Sequence, residues 1–171
     1  MYTAIVGSRD NTDSPGGMTL NDYLNSYYNS SPGRVFKYLS SSLTFWEAEA
    51  ACSADNMKLA CPQNKLQQAA LGQMLKTTSW LGFVDYYTDG TWECADGTSN
   101  MGWTNWGLDQ PDNTYLEDLD ADFTVVVYDK NSPNHLKWED TGSYDFPQYK
   151  FGAVCQMECI VGDMDGCIPD Q

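Results

Sequence analysis

Two kinds of hydrophobic spacing divide the chain. Up to Lys76 the apolar residues recur with a helical period behind capping residues; from Trp80 onward they come in short runs cut by Gly, Asp, Asn and Pro. Thr44-Phe-Trp-Glu47 is a capping box that predicts a helix from Thr44 to about Asp55, with Cys52 on its last turn. Asn64-Lys-Leu-Gln67 repeats the box ahead of a second helix reaching about Lys76. Strands are expected near 35–38, 80–84, 90–94, 123–128, 136–138 and 151–155. Between Ala95 and Asp122 periodicity almost vanishes, and a loop that long inside a compact domain usually carries function.

The first third reads differently. Residues 7–33 are rich in Gly, Ser, Asn and Asp, yet Leu20, Tyr23, Leu24, Tyr27 and Tyr28 fall at helical spacing behind a Thr19 cap. A short amphipathic helix inside an extension follows. Its apolar stripe is expected to pack on its own domain, a partner interface being the alternative.

Composition narrows the class. With 171 residues and 42% hydrophobic content, including six Trp and eleven Tyr, the chain suits one folded domain. Its formal net charge of -15 argues against nucleic acid or an anionic membrane surface as partners. Fourteen of the 24 acidic residues lie between Asp85 and Asp145, where the only basic residues are Lys130 and Lys137. Such a density repels itself unless cations neutralise it. No apolar run is long enough to span a membrane. The opening Met1-Tyr-Thr-Ala-Ile-Val lacks the basic start and apolar stretch of a signal peptide, so the sequence reads as a mature or recombinant chain.

Six cysteines, Cys52, Cys61, Cys94, Cys155, Cys159 and Cys167, contain no CxxC spacing, which disfavours zinc and favours disulfides in a secreted, extracellular protein. The single histidine, His135, sits in a polar stretch and reads as solvated, with no nucleophile arrangement around it. Paired carboxylates admit a glycosidase by residue type alone, but crowded oxygens fit ion binding better than an acid–base dyad. A binding module rather than an enzyme is expected, with no catalytic residue.

In order and spacing, residues 35–157 resemble a C-type lectin-like domain. Phe45-Trp46 with Ala48 and Cys52 resembles the family's first helix, and Trp80-Leu81-Gly82-Phe83 its Trp-Ile-Gly-Leu strand. Asn105-Trp106 leads to Gln110-Pro111-Asp112; Trp138-Glu139-Asp140 stands where the family has Trp-Asn-Asp; and Ala153-Val154-Cys155 resembles the closing strand. The resemblance implies an α+β fold, two helices packed on small antiparallel sheets with a long calcium-binding loop region. It divides the chain into an N-terminal extension (1–34), the lectin-like domain (35–157) and a Cys-containing tail (158–171), in which Asp163-Met-Asp-Gly-Cys167 reads as a turn closed by a cysteine. It further implies a Cys52–Cys155 bridge, whose closed loop of about a hundred residues is worth roughly 4–5 kcal/mol in the chain-entropy model. The family's second bridge has no counterpart. Cys61, Cys94, Cys159 and Cys167 allow three pairings, of which Cys61 with Cys159 suits adjacent strands.

By the same resemblance, a cis peptide at Gln110–Pro111 aims Gln110 and Asp112 at one Ca2+ ion, with Glu117, Glu139 and Asp140 completing the shell and Asp118 or Asp120 as alternatives to Glu117. An auxiliary Ca2+ is expected at Asp85, Asp89, Asn113 and Asp118, with Glu117 shared. Vicinal hydroxyls of a sugar replace water on such an ion while bonding to Gln110, Asp112, Glu117 and Glu139. Gln-Pro-Asp resembles the galactose type, whereas Glu-Pro-Asn marks the mannose type, because exchanging the amide's position reverses the hydrogen bonds offered. Tyr115 is the candidate aromatic face for the sugar; Trp106, the alternative, reads more naturally as a packed loop anchor.

The expected function is calcium-dependent lectin binding of glycans ending in galactose or N-acetylgalactosamine, without nucleic acid or membrane insertion; homo-oligomer assembly is left open. Glu139 complicates it, since glutamate keeps a ligand oxygen but loses the amide donor that asparagine offers. The competing class is a structural or interaction protein on the same fold: acidic matrix, ice-binding or protein-binding.

Overall fold

The computed structural model describes residues 2–5, 33–85, 87–97, 102–113, 121–142 and 149–159. The helix expected over 19–28, Tyr115, Glu117, Asp118, Asp120, Cys167 and most of the tail lie outside the described residues. In chain order the elements are β1 (Tyr2–Ile5), β2 (Gly33–Leu43), α1 (Phe45–Ala54), β3 (Lys58–Leu59) and α2 (Lys65–Met74), followed by β4 (Ser79–Val84), β5 (Glu93–Cys94), β6 (Phe123–Val126), β7 (Trp138–Thr141) and β8 (Phe151–Cys159).

Both helices start where their caps place them. Thr44 Oγ1 accepts from the Glu47 N–H while Glu47 Oε2 accepts from the Thr44 N–H, the reciprocal pair that removes two orphan donors. At α2 the reciprocity shifts by one residue. Asn64 Oδ1 accepts from Leu66 and Gln67, but Gln67 Oε1 turns to the Gln63 N–H at 2.7 Å and to Arg34 Nη1 at 3.2 Å. Helix α1 buries Phe45, Ala48 and Cys52, one stripe at helical spacing.

The strands join in one sheet ordered β1-β2-β8-β4-β6-β7, with β3 on β8 and β5 on β4. All pairings are antiparallel except β4 with β8, which makes the sheet mixed. At that junction Gly152 lies so close to Ser79 Oγ and Leu39 O that a Cβ would meet them at 2.8 and 2.9 Å. Strand β4 is buried on both faces. Trp80 and Val84 enter one core with Phe45, Cys52, Phe123 and Cys155, while Leu81 and Phe83 enter the other with Phe36, Leu71, Trp138 and Val154.

Four expectations shift. The strand placed at 90–94 begins only at Glu93, because Gly90 adopts a left-handed φ of 76° in the turn before it. The strand placed at 136–138 begins only at Trp138, because Leu136 adopts a left-handed φ of 60° and belongs to the preceding turn. Strand β1, unforeseen, pairs with β2 through Tyr2↔Lys37 to Ile5↔Arg34. The Cys61–Cys159 pairing is also overturned: Cys61 bonds to Cys94, which β5 carries in from beside β4. Cys52–Cys155 forms as expected, linking α1 to β8 across 103 residues. Among the described residues no helix is long and apolar enough to cross a membrane.

Candidate metal and ligand site

A fully buried tryptophan anchors the site. Trp138, at the start of β7, packs against Phe83 at a tilt (4.9 Å) and edge-on against Trp103 (5.5 Å) and Trp106 (5.8 Å), and its indole N–H donates to Gln68 Oε1 at 2.8 Å. Gln68 can be buried because both ends of its amide are used: its Nε2 also donates to Leu136 O at 3.1 Å. The loop from Gly102 to Asn113 is laced onto the same strand. Trp138 N–H donates to Asn105 O (3.0 Å), Gly107 N–H to Trp138 O (2.8 Å), and Asn105 Nδ2 to Leu136 O (2.8 Å). Half-buried Trp106 packs on Trp92 at 4.8 Å, the loop anchor expected of it.

Next along this loop, the Gln110–Pro111 peptide is cis. The Asp140 N–H donates to Gln110 Oε1 at 3.1 Å, which fixes the amide's orientation, and Gln110 Nε2 then donates to Asp112 Oδ2 at 3.0 Å. Asp140 answers with both oxygens, accepting from the Asp112 N–H (3.1 Å) and the Asn113 N–H (2.7 Å). Gln110, Asp112 and Asp140 thus meet although about thirty residues separate the loop from β7.

Asn113 extends the cluster. Its Oδ1 accepts from the Ala121 N–H at 3.1 Å and its Nδ2 donates to Asp89 Oδ1 at 3.2 Å. Asp85, only 3% exposed at the end of β4, accepts from the Gly90 N–H at 3.1 Å through Oδ2, while its Oδ1 is buried with no hydrogen-bond partner. Burial raises its pKa to about 6, with the nearby carboxylates of Asp122, Asp89 and Asp140 pushing the same way against the Gly90 hydrogen bond. Burial likewise raises Asp140, opposed by the two loop N–H donors.

Glu139 is not in this hydrogen-bonded set. Neighbours on a strand face opposite ways, and its Oε1 accepts from Asn134 Nδ2 at 2.9 Å instead. Asn134 is a partner that sequence reasoning missed. His135 departs from expectation too: half-buried rather than solvated, it meets Tyr128 edge-on at 5.3 Å, and its Nδ1 is buried without a partner. Among the described residues no three His, Cys, Asp or Glu side chains converge on one point as a preformed cage.

Residues 41–157 match the family model for the lectin C-type domain. The chain belongs to this C-type lectin family. Its lectin domain is similar to C-type lectin domain family 10 member A of Rattus norvegicus, 27% identical over 128 residues that make up 74% of this chain and 39% of that protein. The chain therefore spans well under half of that relative's length. In fold it is similar to the carbohydrate-recognition domain of human scavenger receptor C-type lectin (TM-score 0.62, 20% identity, 73% of this chain and 91% of that one). It is equally similar to herring type II antifreeze protein (TM-score 0.61, 20% identity, 73% and 91%). At such identities the likeness speaks for the fold alone.

Proposed function

We propose that the domain is an extracellular, calcium-dependent lectin for glycans ending in galactose or N-acetylgalactosamine. The observation that carries this is the hydrogen-bonded junction of Gln110 and Asp112 with Asp140, which gathers amide and carboxylate oxygens from distant segments at one exposed loop. Hard oxygen donors of mixed charge suit Ca2+, which accepts six to eight of them at flexible angles. Asp85 gives a second test of fit, because a buried carboxylate oxygen without a hydrogen bond, crowded by other carboxylates, is what a divalent cation relieves.

Gln110, Asp112, Asp140 and, from the loop outside the described residues, Glu117 would hold the primary ion, and Glu139 would join them on leaving Asn134; Asp85, Asp89, Asn113 and, from the same loop, Asp118 would hold an auxiliary one. Bound calcium supplies open coordination positions for two adjacent sugar hydroxyls. The chain's own part is orientation: the amide of Gln110 and the carboxylate of Asp112 set the direction of the hydrogen bonds offered to that pair. Gln110, Asp112 and Asp140 hydrogen-bond to one another, so coordination of a cation by these groups would replace internal hydrogen bonds. Retention on galactose-agarose in millimolar calcium, with release by chelator, tests the proposal. Passage through that column and through a broad glycan panel contradicts it.

A second reading is supported by Glu139. Its carboxylate bonds to Asn134 and offers a hydroxyl no amide donor, which fits a non-sugar-binding interaction or ice-binding domain on the same fold. Calcium binding without any glycan retention would select it.

A further inference from the structure

A cavity of about 390 Å³ opens beside α1 and shares no residue with the Gln110, Asp112 and Asp140 cluster. Helix α1 turns Phe45, Ala48 and Cys52 into the core. Trp46, Glu49, Ala50 and Ser53, again at helical spacing, form a second stripe that lines the cavity. Lys58 and Leu59 on β3, Gly82 on β4 and Asp96 after β5 line it too. The backbone there is pinned: Gly82 N–H donates to Ala60 O and the Ala95 N–H donates to Gly82 O, both at 2.8 Å. The cavity is therefore preformed, as ligand sites usually are.

Two of its three charges match each other, since Lys58 Nζ pairs with Asp96 Oδ2. The third is left over. Half-buried Glu49 makes no ion pair or hydrogen bond among the described residues. On the same stripe Trp46 is 47% exposed, yet its ring is held edge-to-face by Phe45 at 5.3 Å and Phe123 at 5.8 Å. One spare carboxylate is too few for a metal ion, and the apolar lining from Ala50, Met57 and Leu59 suits a hydrocarbon stem. An open indole beside an uncompensated carboxylate suits an organic cation. Guanidinium answers both groups at once, because its planar fork pairs with a carboxylate while its face stacks on an aromatic ring.

We propose that this cavity takes the arginine side chain of a partner polypeptide, its guanidinium on Trp46 and Glu49 and its stem along Met57 and Leu59. Ala50 and Ser53, both small and exposed, leave room at the rim for the chain that carries the arginine. A net charge of -15 draws such basic partners.

The experiment is an NMR titration of the full chain with acetyl-Gly-Arg-Gly-amide, with its citrulline counterpart as the uncharged control. The arginine peptide should shift the Trp46 indole N–H and the Ser53 amide, and the citrulline peptide should not. Glu49→Gln should weaken binding about five-fold, the upper range for a partly exposed ion pair. Lys58→Met frees Asp96 and should tighten binding by about two-fold or more, a gain that a misfolded variant cannot mimic. Any other pairing of these two results overturns the proposal, as does binding that shifts Asn113 and Asp140 instead, or no binding at all. Free arginine binding as tightly as the tripeptide overturns the polypeptide partner.

Discussion

The Asn113 N–H donates to the Asp140 carboxylate at 2.7 Å across 27 residues of sequence. That bond, with its neighbour from Asp112, converts an exposed Pro-containing loop into a lid on the end of β7. Asp140 →Ala leaves both loop donors without their anion. Hydrogen bonds to a charged group are worth roughly 1.5–3 kcal/mol each, reduced here because the loop N–H groups regain water. The expected outcome is a loss of about 1–3 kcal/mol in calcium-free stability by urea unfolding, with calcium affinity down by more than about ten-fold.

Asp85 makes calcium-free stability depend on pH. Its carboxyl holds a proton up to about 6 in the fold, against an ordinary value of 3.8. The folded state therefore binds the proton more tightly than the unfolded chain. Stability from that proton is complete below about pH 4 and is lost as pH rises through about 6. Calcium competes with the same proton, so its affinity should fall as pH drops below about 6. Urea midpoints in chelator across this window, for the wild type and Asp85→Asn, check the sign: the wild-type midpoint should fall with rising pH relative to the variant.

The Cys52–Cys155 bridge closes a loop of 103 residues between α1 and β8. Replacing both cysteines by alanine should lower stability by about 4–5 kcal/mol on the chain-entropy model. Both sulfurs are also fully buried. A loss below about 1 kcal/mol in chemical denaturation would mean that the unfolded chain is already compact.

Gly82 sits where β4 passes β3. A Cβ there would lie 2.7 Å from Leu59 O, a backbone atom that cannot rotate away. Gly82→Ala should therefore cost about 1–3 kcal/mol through overpacking, whereas Gly90→Ala, with open space around it but a φ of 76°, should cost only its backbone strain. Thermal denaturation of the two variants separates the effects.

Much of the architecture was legible because local rules agree with the fold. Thr44 and Glu47 announce α1, and the Trp80–Val84 run announces a strand buried on both faces. What escaped depends on long-range partners. Leu136 looks like strand until the turn that joins it to Val127 demands a left-handed φ. The Cys61–Cys94 pairing depends on where β5 docks on β4, which no spacing encodes. At the site, Gln110, Asp112 and Asp140 could be chosen as oxygen donors from sequence, and they do meet; Asn134 could not, because its use depends on a glycine 27 positions earlier leaving space for its amide.

Isothermal titration of galactose into the protein, once in millimolar calcium and once in chelator, tests the central claim most directly. Measurable heat with calcium and none in chelator is the predicted result. Equal heats in the two buffers, or no heat in either across galactose, N-acetylgalactosamine and mannose, would contradict it.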